Sequence, residues 1–209
     1  MATQIYLIRH GETAWSLTGQ HTGRTDPPLT DQGALRASHL RARLKGITFD
    51  QVLTSPLQRA RRTCELAGLG AAARAVPDLE EWDYGDYEGQ TTATIRMRHP
   101  GWEVFRDGCP HGESVEQISR RADRVVAGLV ATSGTVAIFS HGQFLRVLAV
   151  RWIGLPVQAG EHFALDTAAI CILGYEHPEG NIPAIVVWNV GSRGDPLGGA
   201  TARCTPAVQ

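Results

Sequence analysis

The sequence predicts an α/β fold of three layers, with a mainly parallel central sheet flanked by helices. Short apolar runs typical of buried strands alternate with segments in which apolar residues recur every three or four positions. Hydrophobic residues make up 43% of the 209 positions and charged residues 20%, as in ordinary globular domains. We therefore expect a single domain over residues 1–190. Residues 191–209 are rich in Gly, Pro and Ala without periodicity, so we expect a mobile tail there.

Local signals along the chain predict the individual elements. Apolar runs predict strands at residues 4–9, 51–54, 135–140, 168–175 and 184–189. Helical spacing between start and stop signals predicts helices at residues 30–46, 55–68, 114–130 and 143–152. At the second of these helices, Ser55 is the expected cap and Pro56 the expected first helical residue.

Two of the predicted strands end at a histidine followed by a glycine. The first strand leads into Arg9 and His10, and the strand at 135–140 leads into His141. In open α/β sheets, ligands bind beyond the carboxyl ends of the strands. We therefore expect Arg9, His10 and His141 to lie at one site.

Charge, apolar stretches and cysteine spacing bear on the partners and the location that we expect for the protein. The formal net charge is −1, so no global basic field attracts nucleic acid or an anionic membrane. The longest apolar stretch, 144–155, is interrupted by two arginines and is shorter than the roughly 20 residues that span a bilayer. The N-terminal residues lack a secretory pattern, and the four cysteines lack CxxC spacing. We expect a cytoplasmic protein without nucleic-acid or membrane partners.

The run Arg9-His10-Gly11 has the features that a histidine nucleophile requires. These are an imidazole lone pair, an adjacent cation for phosphate oxygens, and a neighbour without a side chain. Phosphoryl transfer needs several donors around three equatorial oxygens. Arg59, near a predicted helix start, and His141 are the further candidates.

The segment 80–89 is acidic and aromatic, with interspersed glycines and no helical period. One of its carboxyl groups could protonate the leaving oxygen of a phosphate ester. The residue pattern alone leaves five candidates open: Glu80, Glu81, Asp83, Asp86 and Glu88.

Five separated motifs together resemble those of the histidine phosphatase superfamily, in its phosphoglycerate-mutase-like branch, over nearly the whole chain to about Asn189. They are Arg9-His10-Gly11-Glu12-Thr13, Leu29-Thr30-x-x-Gly33, Ser55-Pro56-x-x-Arg59-Ala60-x-x-Thr63, the loop 81–89, and Ser140-His141-Gly142. The resemblance implies that His10 is the nucleophile and that Arg9, Arg59 and His141 complete the phosphate pocket. It also implies that Glu81 is the acid and later the base. The other four acids do not occupy that place in the motif, and we expect them to be solvated loop charges.

The same resemblance implies a set of substrate-binding residues. Ser16 stands where the family often has an asparagine that touches phosphate, and its hydroxyl can still donate. The pair Thr22 and Gly23 matches a hydroxyl-plus-glycine pair beside bound substrate. The remaining expected substrate-binding residues are Gly11, Tyr84, Gly142 and Gln143.

Within the branch, several motifs are similar to those of sedoheptulose-1,7-bisphosphatase-like phosphatases and related bacterial acid phosphatases. The resemblance implies a metal-independent phosphomonoesterase that forms a phosphohistidine. Its expected substrates are small phosphorylated metabolites, either sugar phosphates or bisphosphates. No HxH, HExxH or Cys/His ligand spacing occurs among the eight histidines, so we expect no metal or cofactor and disfavour a metallohydrolase.

Two alternatives share the expected fold. A phosphoglycerate mutase would return the phosphoryl group to a second hydroxyl, but its extra basic segment is not found at 89–114, where Arg96, Arg98 and Arg106 are scattered. A non-catalytic phospholigand-binding protein is the other alternative. The sequence leaves open a homo-oligomer, the physiological substrate, and contacts of Arg24, Arg106 and His111 with it. Residues 102–111 are expected to roof the pocket.

Overall fold

A computed structural model describes residues 3–177 and 182–191 of the chain. Within these residues, six strands form one sheet in the order β3-β2-β4-β1-β5-β6. The strands are β1 (Gln4–Arg9), β2 (Gln51–Thr54), β3 (Ala73–Ala75), β4 (Thr135–Ser140), β5 (Ile170–Tyr175) and β6 (Pro183–Val190). The mainly parallel sheet is confirmed: the neighbours from β3 to β1 all pair in parallel, whereas β5 runs antiparallel to β1 and β6 to β5.

Helices cover both faces of this sheet. In the described part of the chain they are α1 (Ala14–Thr18), α2 (Asp31–Arg43), α3 (Gln58–Leu66), α4 (Thr92–Arg98), α5 (Val104–Asp107), α6 (Val115–Val130) and α7 (Gly142–Trp152). One apolar cluster contains Leu40 of α2 and Cys64 of α3, and a larger one contains Ile118 of α6 and Phe144 of α7. The three layers therefore have a core on each side of the sheet.

Adjacent strand tips bring two distant motifs together. In the parallel pair of β1 and β4, Arg9 lies beside Ser140, so His10 and His141 follow at neighbouring positions. The backbone N–H of His10 also donates to the Ser140 carbonyl at 2.9 Å. The two histidines thus lie side by side beyond the carboxyl ends of these central strands, as predicted.

The predicted start of α3 was wrong. The helix begins at Gln58, after Ser55 and Pro56, with Leu57 in the cap position. The carboxylate of Asp26 accepts the backbone N–H of Gln58 at 2.5 Å and so takes the role expected of Ser55. A residue 32 positions away caps this helix, and local sequence gives no signal for such a partner.

Several other boundaries also differ from prediction. The last strands begin at Ile170 and Pro183, and Ala168 is in the left-handed region with φ 56°, which ends any extended run there. Short elements β3, α1, α4 and α5 were not predicted, since three to seven residues carry little periodic signal. The expected tail, apart from Gly191, lies outside the described residues.

Two further observations concern the whole fold. Cys64, Cys109 and Cys171 are buried free thiols, while Cys204 lies outside the described residues. Within residues 3–177 and 182–191, the helices are too short or too polar to cross a membrane.

Candidate active site

His10 lies directly after β1 and is only 4% exposed. Its Nδ1 is 2.7 Å from the Gly11 carbonyl oxygen. A carbonyl can only accept, so Nδ1 carries the proton and Nε2 keeps its lone pair. Burial, and then the charges of Arg9 and Arg59, lower the pKa of His10 well below its usual value. The side chain is a neutral imidazole with one unprotonated nitrogen.

Gly11 is held by two neighbouring elements. Its N–H donates to the Thr63 hydroxyl at 2.9 Å, and that hydroxyl donates to the Arg59 carbonyl at 2.7 Å. A Cβ at position 11 would lie 2.6 Å from the Gly33 carbonyl oxygen. Close approach of α2 therefore accounts for this glycine, in addition to the expected approach of phosphate.

The guanidinium of Arg9 lies against the first residue of α7. A Cβ on Gly142 would lie 3.2 Å from the Arg9 Cζ. One Arg9 Nη donates to the Leu165 carbonyl. Its Nε is buried and has no hydrogen-bond partner in the described part of the chain. This cation thus retains an unused donor beside His10.

Arg59 has a fully buried side chain, since its exposed fraction is 0%. Its Nε donates to His141 Nδ1 at 3.1 Å. Its Nη atoms donate to acceptors on one loop, namely the carbonyls of Thr22, Gly23 and Thr25 and the carboxylate of Asp26. Each guanidinium nitrogen therefore has a protein partner, so a contact with phosphate requires some of these bonds to be exchanged.

His141 precedes α7 and is fully buried. Because Nδ1 accepts from Arg59, Nε2 carries the proton and faces the Ser55 hydroxyl at 2.8 Å. Its ring centroid lies 5.2 Å from that of His10. Burial and the nearby charge of Arg59 lower the pKa of His141 well below its usual value. The two rings are adjacent and neutral, but both nitrogens of His141 are engaged by side chains.

The carboxyl group of Glu81 caps α7. Its Oε1 accepts the N–H of Phe144 at 2.8 Å, and its Oε2 accepts that of Gln143 at 3.1 Å. The N–H of Trp82 donates to Oε1 at 2.9 Å. A helix N-terminus favours a negative group, and these bonds fix the orientation of the carboxyl. Oε2 accepts only one of them, so it keeps acceptor capacity.

The expected substrate-binding residues near the first loops are engaged by protein groups. The Ser16 hydroxyl bonds to both backbone groups of Thr13 in a capping box of α1. The Thr22 hydroxyl donates to the Gln20 carbonyl. The Gly23 N–H donates to the carboxylate of Glu88 at 2.9 Å. These contacts order the loop that faces Arg59.

Tyr84 and Gln143 complete the expected set. Tyr84 is 2% exposed, and its ring stacks on His21 with centroids 4.5 Å apart. Burial raises the pKa of Tyr84 well above its usual value. Gln143 contributes its backbone N–H to Glu81, and its side chain is partly exposed.

The interpretation of the other acids as solvated loop charges was wrong for Glu88. Its carboxylate accepts the N–H groups of Gly23 and Thr25 and so holds the loop around Arg59. Asp83 pairs with Arg24 at 2.8 Å, but it is only 24% exposed and also accepts the N–H of Gly85. Asp86 pairs with His111 at 2.8 Å, and both of these side chains are largely exposed. Only the folded arrangement brings Glu88 to a loop 65 residues earlier.

The segment 102–111 is less uniform than expected of a roof. Trp102 and Phe105 are buried in the larger core cluster, whereas Arg106 and His111 are exposed. A cavity of about 420 Å³ opens beside Glu81 and Gly23, and His111 lies on its wall. Within the residues described, no three His, Cys, Asp or Glu side chains are grouped closely enough to hold a metal ion.

Sequence reasoning missed four contributors to this site. Ser55 and Thr63 lie within a quoted motif, but their hydrogen bonds could not be read from it. Asp26 binds Arg59, and Arg121 binds the backbone carbonyl of Glu81. Both are single charged residues without a local pattern, so no sequence signal was available.

The fold and this arrangement define a phosphatase of the histidine type. The chain belongs to the histidine phosphatase superfamily (branch 1), whose sequence model matches residues 5–190. It is therefore an enzyme that removes phosphoryl groups from phosphorylated substrates.

Individual relatives support this assignment. The chain is 45% identical to an acid phosphatase of Mycobacterium tuberculosis over 178 residues, covering 83% of this chain and 87% of that protein. It is 36% identical to the sedoheptulose 1,7-bisphosphatase of Saccharomyces cerevisiae over 190 residues, covering 76% and 70%. A solved structure of the M. tuberculosis open reading frame Rv3214 superposes with a TM-score of 0.84 at 43% identity, covering 90% of this chain and 97% of that one.

Proposed function

We propose that the protein is a metal-independent phosphomonoesterase that carries the phosphoryl group on His10 and acts on sugar phosphates. The observation that carries this proposal is the orientation of the imidazole by the Gly11 carbonyl. That contact leaves Nε2 with a lone pair, and the lowered pKa of His10 keeps it unprotonated. A phosphorus atom held there meets a nucleophile that needs no deprotonation.

In the first half-reaction, Nε2 of His10 attacks phosphorus in line with the leaving oxygen. The N–P bond forms while the P–O bond to the alcohol breaks. An alkoxide is a poor leaving group, so Glu81 donates a proton to that oxygen. The products are a phosphohistidine, a free alcohol and the carboxylate of Glu81.

In the second half-reaction, water attacks the phosphohistidine. The carboxylate of Glu81 accepts a proton from this water as the new O–P bond forms and the N–P bond breaks. Inorganic phosphate leaves, and both His10 and Glu81 return to their starting protonation states. The three N–H groups that hold Glu81 fix its carboxyl in one place for both steps.

Arg9 and Arg59 supply the positive charge that the equatorial oxygens require. The buried Nε–H of Arg9 has no acceptor among the described residues and can donate to a phosphate oxygen. Arg59, in contrast, must exchange carbonyl partners for phosphate oxygens. His141 contributes an Nε2–H that Ser55 shares. These internal contacts hold the pocket in an ordered arrangement before substrate arrives. We infer that a bound phosphate then replaces some of them.

The cavity beside Glu81 supports a substrate whose leaving group carries hydroxyls. Its wall includes the carboxylates of Glu80, Asp83 and Glu113. Asp83 and Glu113 are paired with arginines, but a carboxylate oxygen can accept a second hydrogen bond, so all three can bind hydroxyl groups. Among the described residues of that wall, the two arginines are each paired: Arg24 with Asp83 and Arg121 with Glu113. Besides Glu81, the wall carries three carboxylates against two arginines, and this negative balance favours a sugar or polyol monophosphate over a bisphosphate. The buried free thiols further support a cytoplasmic location.

Trapping the intermediate tests the proposal. Brief incubation with a ³²P-labelled sugar phosphate should label the protein through a bond that is labile in acid and stable in alkali. The His10→Ala variant should remain unlabelled, and Glu81→Gln should turn over about 10² to 10⁴-fold more slowly. A label stable to acid and lost in alkali would indicate an acyl phosphate and overturn the assignment to His10.

A product assay separates the proposed phosphatase from the related mutase. Release of inorganic phosphate and isomerisation of 3-phosphoglycerate are measured in the same preparation. We expect phosphate release from sugar monophosphates to exceed that from the matching bisphosphates, with no isomerisation. Isomerisation as the main reaction would replace the phosphatase proposal with the mutase, and no turnover at all would favour a phospholigand-binding protein.

A further inference from the structure

Arg121, on α6, is not one of the residues around His10, yet it is almost buried. Its side chain is 12% exposed, and that of its ion-pair partner Glu113 is 13% exposed. The Nε and one Nη of Arg121 donate to the two carboxylate oxygens of Glu113 at 2.8 and 2.6 Å. Such a two-bond pair fixes the plane of the guanidinium.

The remaining donors of Arg121 all reach the backbone of the segment that carries Glu81. They bond to the carbonyls of Asp78, Glu80 and Glu81 at 3.0, 2.6 and 3.2 Å. This segment consists of a short 3₁₀ turn, Pro77–Leu79, and the irregular residues after it. A side chain from α6 therefore provides hydrogen bonds that an irregular segment cannot make with itself.

Arg121 also touches the other support of the Glu81 carboxyl. Its guanidinium carbon lies 4.5 Å from the centroid of the Phe144 ring. The N–H of Phe144 is the group that donates to Glu81 Oε1 at 2.8 Å. One cation thus contacts the main chain of Glu81 and the residue that binds its side chain.

Glu113, which lies just before α6, forms further hydrogen bonds with the segment around Glu81. Its N–H donates to the Asp83 carbonyl, and its carbonyl accepts the Trp82 Nε1–H, each at 2.8 Å. Residues on both sides of Glu81 are thereby attached to the pair of Arg121 and Glu113. Rotation or translation of Glu81 requires several of these bonds to break together.

We propose that Arg121, oriented by Glu113, is a positioning residue that fixes Glu81 for proton transfer to the leaving group. The inference rests on the proposed role of Glu81. General acid catalysis depends on hydrogen-bond distance to the leaving oxygen, so a shift of about 1 Å can cost about 10²-fold. Loss of Arg121 should therefore slow only those substrates whose leaving group needs a proton.

The test compares two esters in the Arg121→Met variant. p-Nitrophenyl phosphate releases a stable phenolate without a proton, whereas glycerol 2-phosphate releases an alkoxide that needs one. The measured quantity is kcat/KM, which excludes later hydrolysis of the phosphohistidine. Arg124→Met is the matched control, because Arg124 binds the Asp78 carboxylate from the same helix but does not contact Glu81.

We expect Arg121→Met to lower kcat/KM for glycerol phosphate by about 10 to 100-fold and for p-nitrophenyl phosphate by less than about threefold. Arg124→Met should leave both within about twofold. Equal losses on both esters in Arg121→Met would show a purely structural role and overturn the inference, as would no loss on either. If Arg121→Met does not fold, Arg121→Lys is measured against the same criteria.

Glu81→Gln separates failure of this inference from failure of the proposed function. If Glu81→Gln shows the leaving-group dependence and Arg121→Met does not, only the positioning role is overturned. If Glu81→Gln lacks it, both proposals are overturned. The double variant should lose no more than Glu81→Gln alone, because Arg121 acts through that residue.

Discussion

The tips of β1 and β4 differ in chemistry although both strands are followed by the pair His-Gly. In both places the histidine is buried directly after the strand, and the two rings lie 5.2 Å apart. His10 bonds through Nδ1 to the carbonyl of its own neighbour, Gly11. His141 instead bonds through both nitrogens to the side chains of Arg59 and Ser55.

The origin of this difference is the chain that follows each strand. After His10 the backbone turns so that the Gly11 carbonyl faces Nδ1, and α1 begins only at Ala14. After His141 the chain enters α7 at once, so the His141 ring forms its hydrogen bonds with side chains of the β2–α3 region. The unprotonated nitrogen of His141 is therefore occupied by Arg59, whereas that of His10 faces no such donor, and we expect only His10 to act as the nucleophile.

Removing each histidine gives the largest expected contrast. His10→Ala should lower turnover by at least about 10⁴-fold, because the nucleophile is lost. His141→Ala should cost about 10² to 10³-fold, the usual effect of losing one donor to developing charge. Steady-state kinetics with one sugar phosphate, together with ³²P labelling, measures both. Equal losses, or labelling of His10→Ala, would contradict the distinction between the two tips.

Acid pH should affect both histidines alike, since burial lowers the pKa of each. Each folded pKa lies below the unfolded value near 6.5, so the unfolded chain binds more protons as pH falls. The free energy of unfolding should therefore decrease below pH 6.5, by up to about 1.4 kcal/mol per pH unit for each histidine. Above pH 6.5 both histidines are neutral in the folded and the unfolded chain, so the free energy of unfolding no longer depends on their titration.

Urea unfolding at pH 7.5 and 5.5 measures this effect. His10→Gln and His141→Gln should each flatten the dependence. His21 provides a third case, since burial lowers its pKa to about 4 and its contribution should be lost from pH 6.5 down to that value. An unchanged slope in His10→Gln or His141→Gln would show that the residue titrates normally in the folded protein.

Thr63 ties the backbone at the tip of β1 to α3, whereas the tip of β4 is tied to α3 through the His141 ring and Arg59. Thr63→Val leaves the buried N–H of Gly11 without its acceptor, which should cost about 1–3 kcal/mol of stability. We expect kcat/KM to fall by about tenfold as His10 shifts. Thr54→Val is the control, because that buried hydroxyl donates only to the Ser55 carbonyl. A larger kinetic loss in Thr54→Val would argue against the link through Thr63.

Ser55 gives the smallest and most specific effect. Ser55→Ala removes the group that shares the Nε2–H of His141, so inorganic phosphate should inhibit about two- to tenfold more strongly, the value of one ordinary hydrogen bond. In a His141→Ala background the same change should have no effect. Weaker inhibition in Ser55→Ala would instead show that the hydroxyl itself binds phosphate.

The elements with a regular pattern of apolar residues were predicted well from the sequence. The runs at 4–9, 51–54 and 135–140 match β1, β2 and β4, and the helix predicted at 114–130 matches α6. Apolar runs and helical spacing are patterns of neighbouring residues, so the sequence carries them. Residues 14–18 and 92–98 form helices too short to give a periodic signal.

Contacts between distant segments were beyond such reasoning. Asp26 caps α3, Glu88 holds the loop at Gly23, and Arg121 secures Glu81 from another helix. Each is one charged residue whose partner lies 32 to 65 positions away. Nothing in the local pattern distinguishes these residues from solvated charges.

The sequence by itself determined the layered α/β fold and the placement of Arg9, His10 and His141 at strand tips, because side-chain periodicity and strand ends are local properties. Only the tertiary structure decided which nitrogen of each histidine is occupied and which residues fix Glu81. Those outcomes depend on hydrogen bonds whose donor and acceptor meet only after the sheet has assembled. The two similar histidine motifs acquire their different chemistry at that stage.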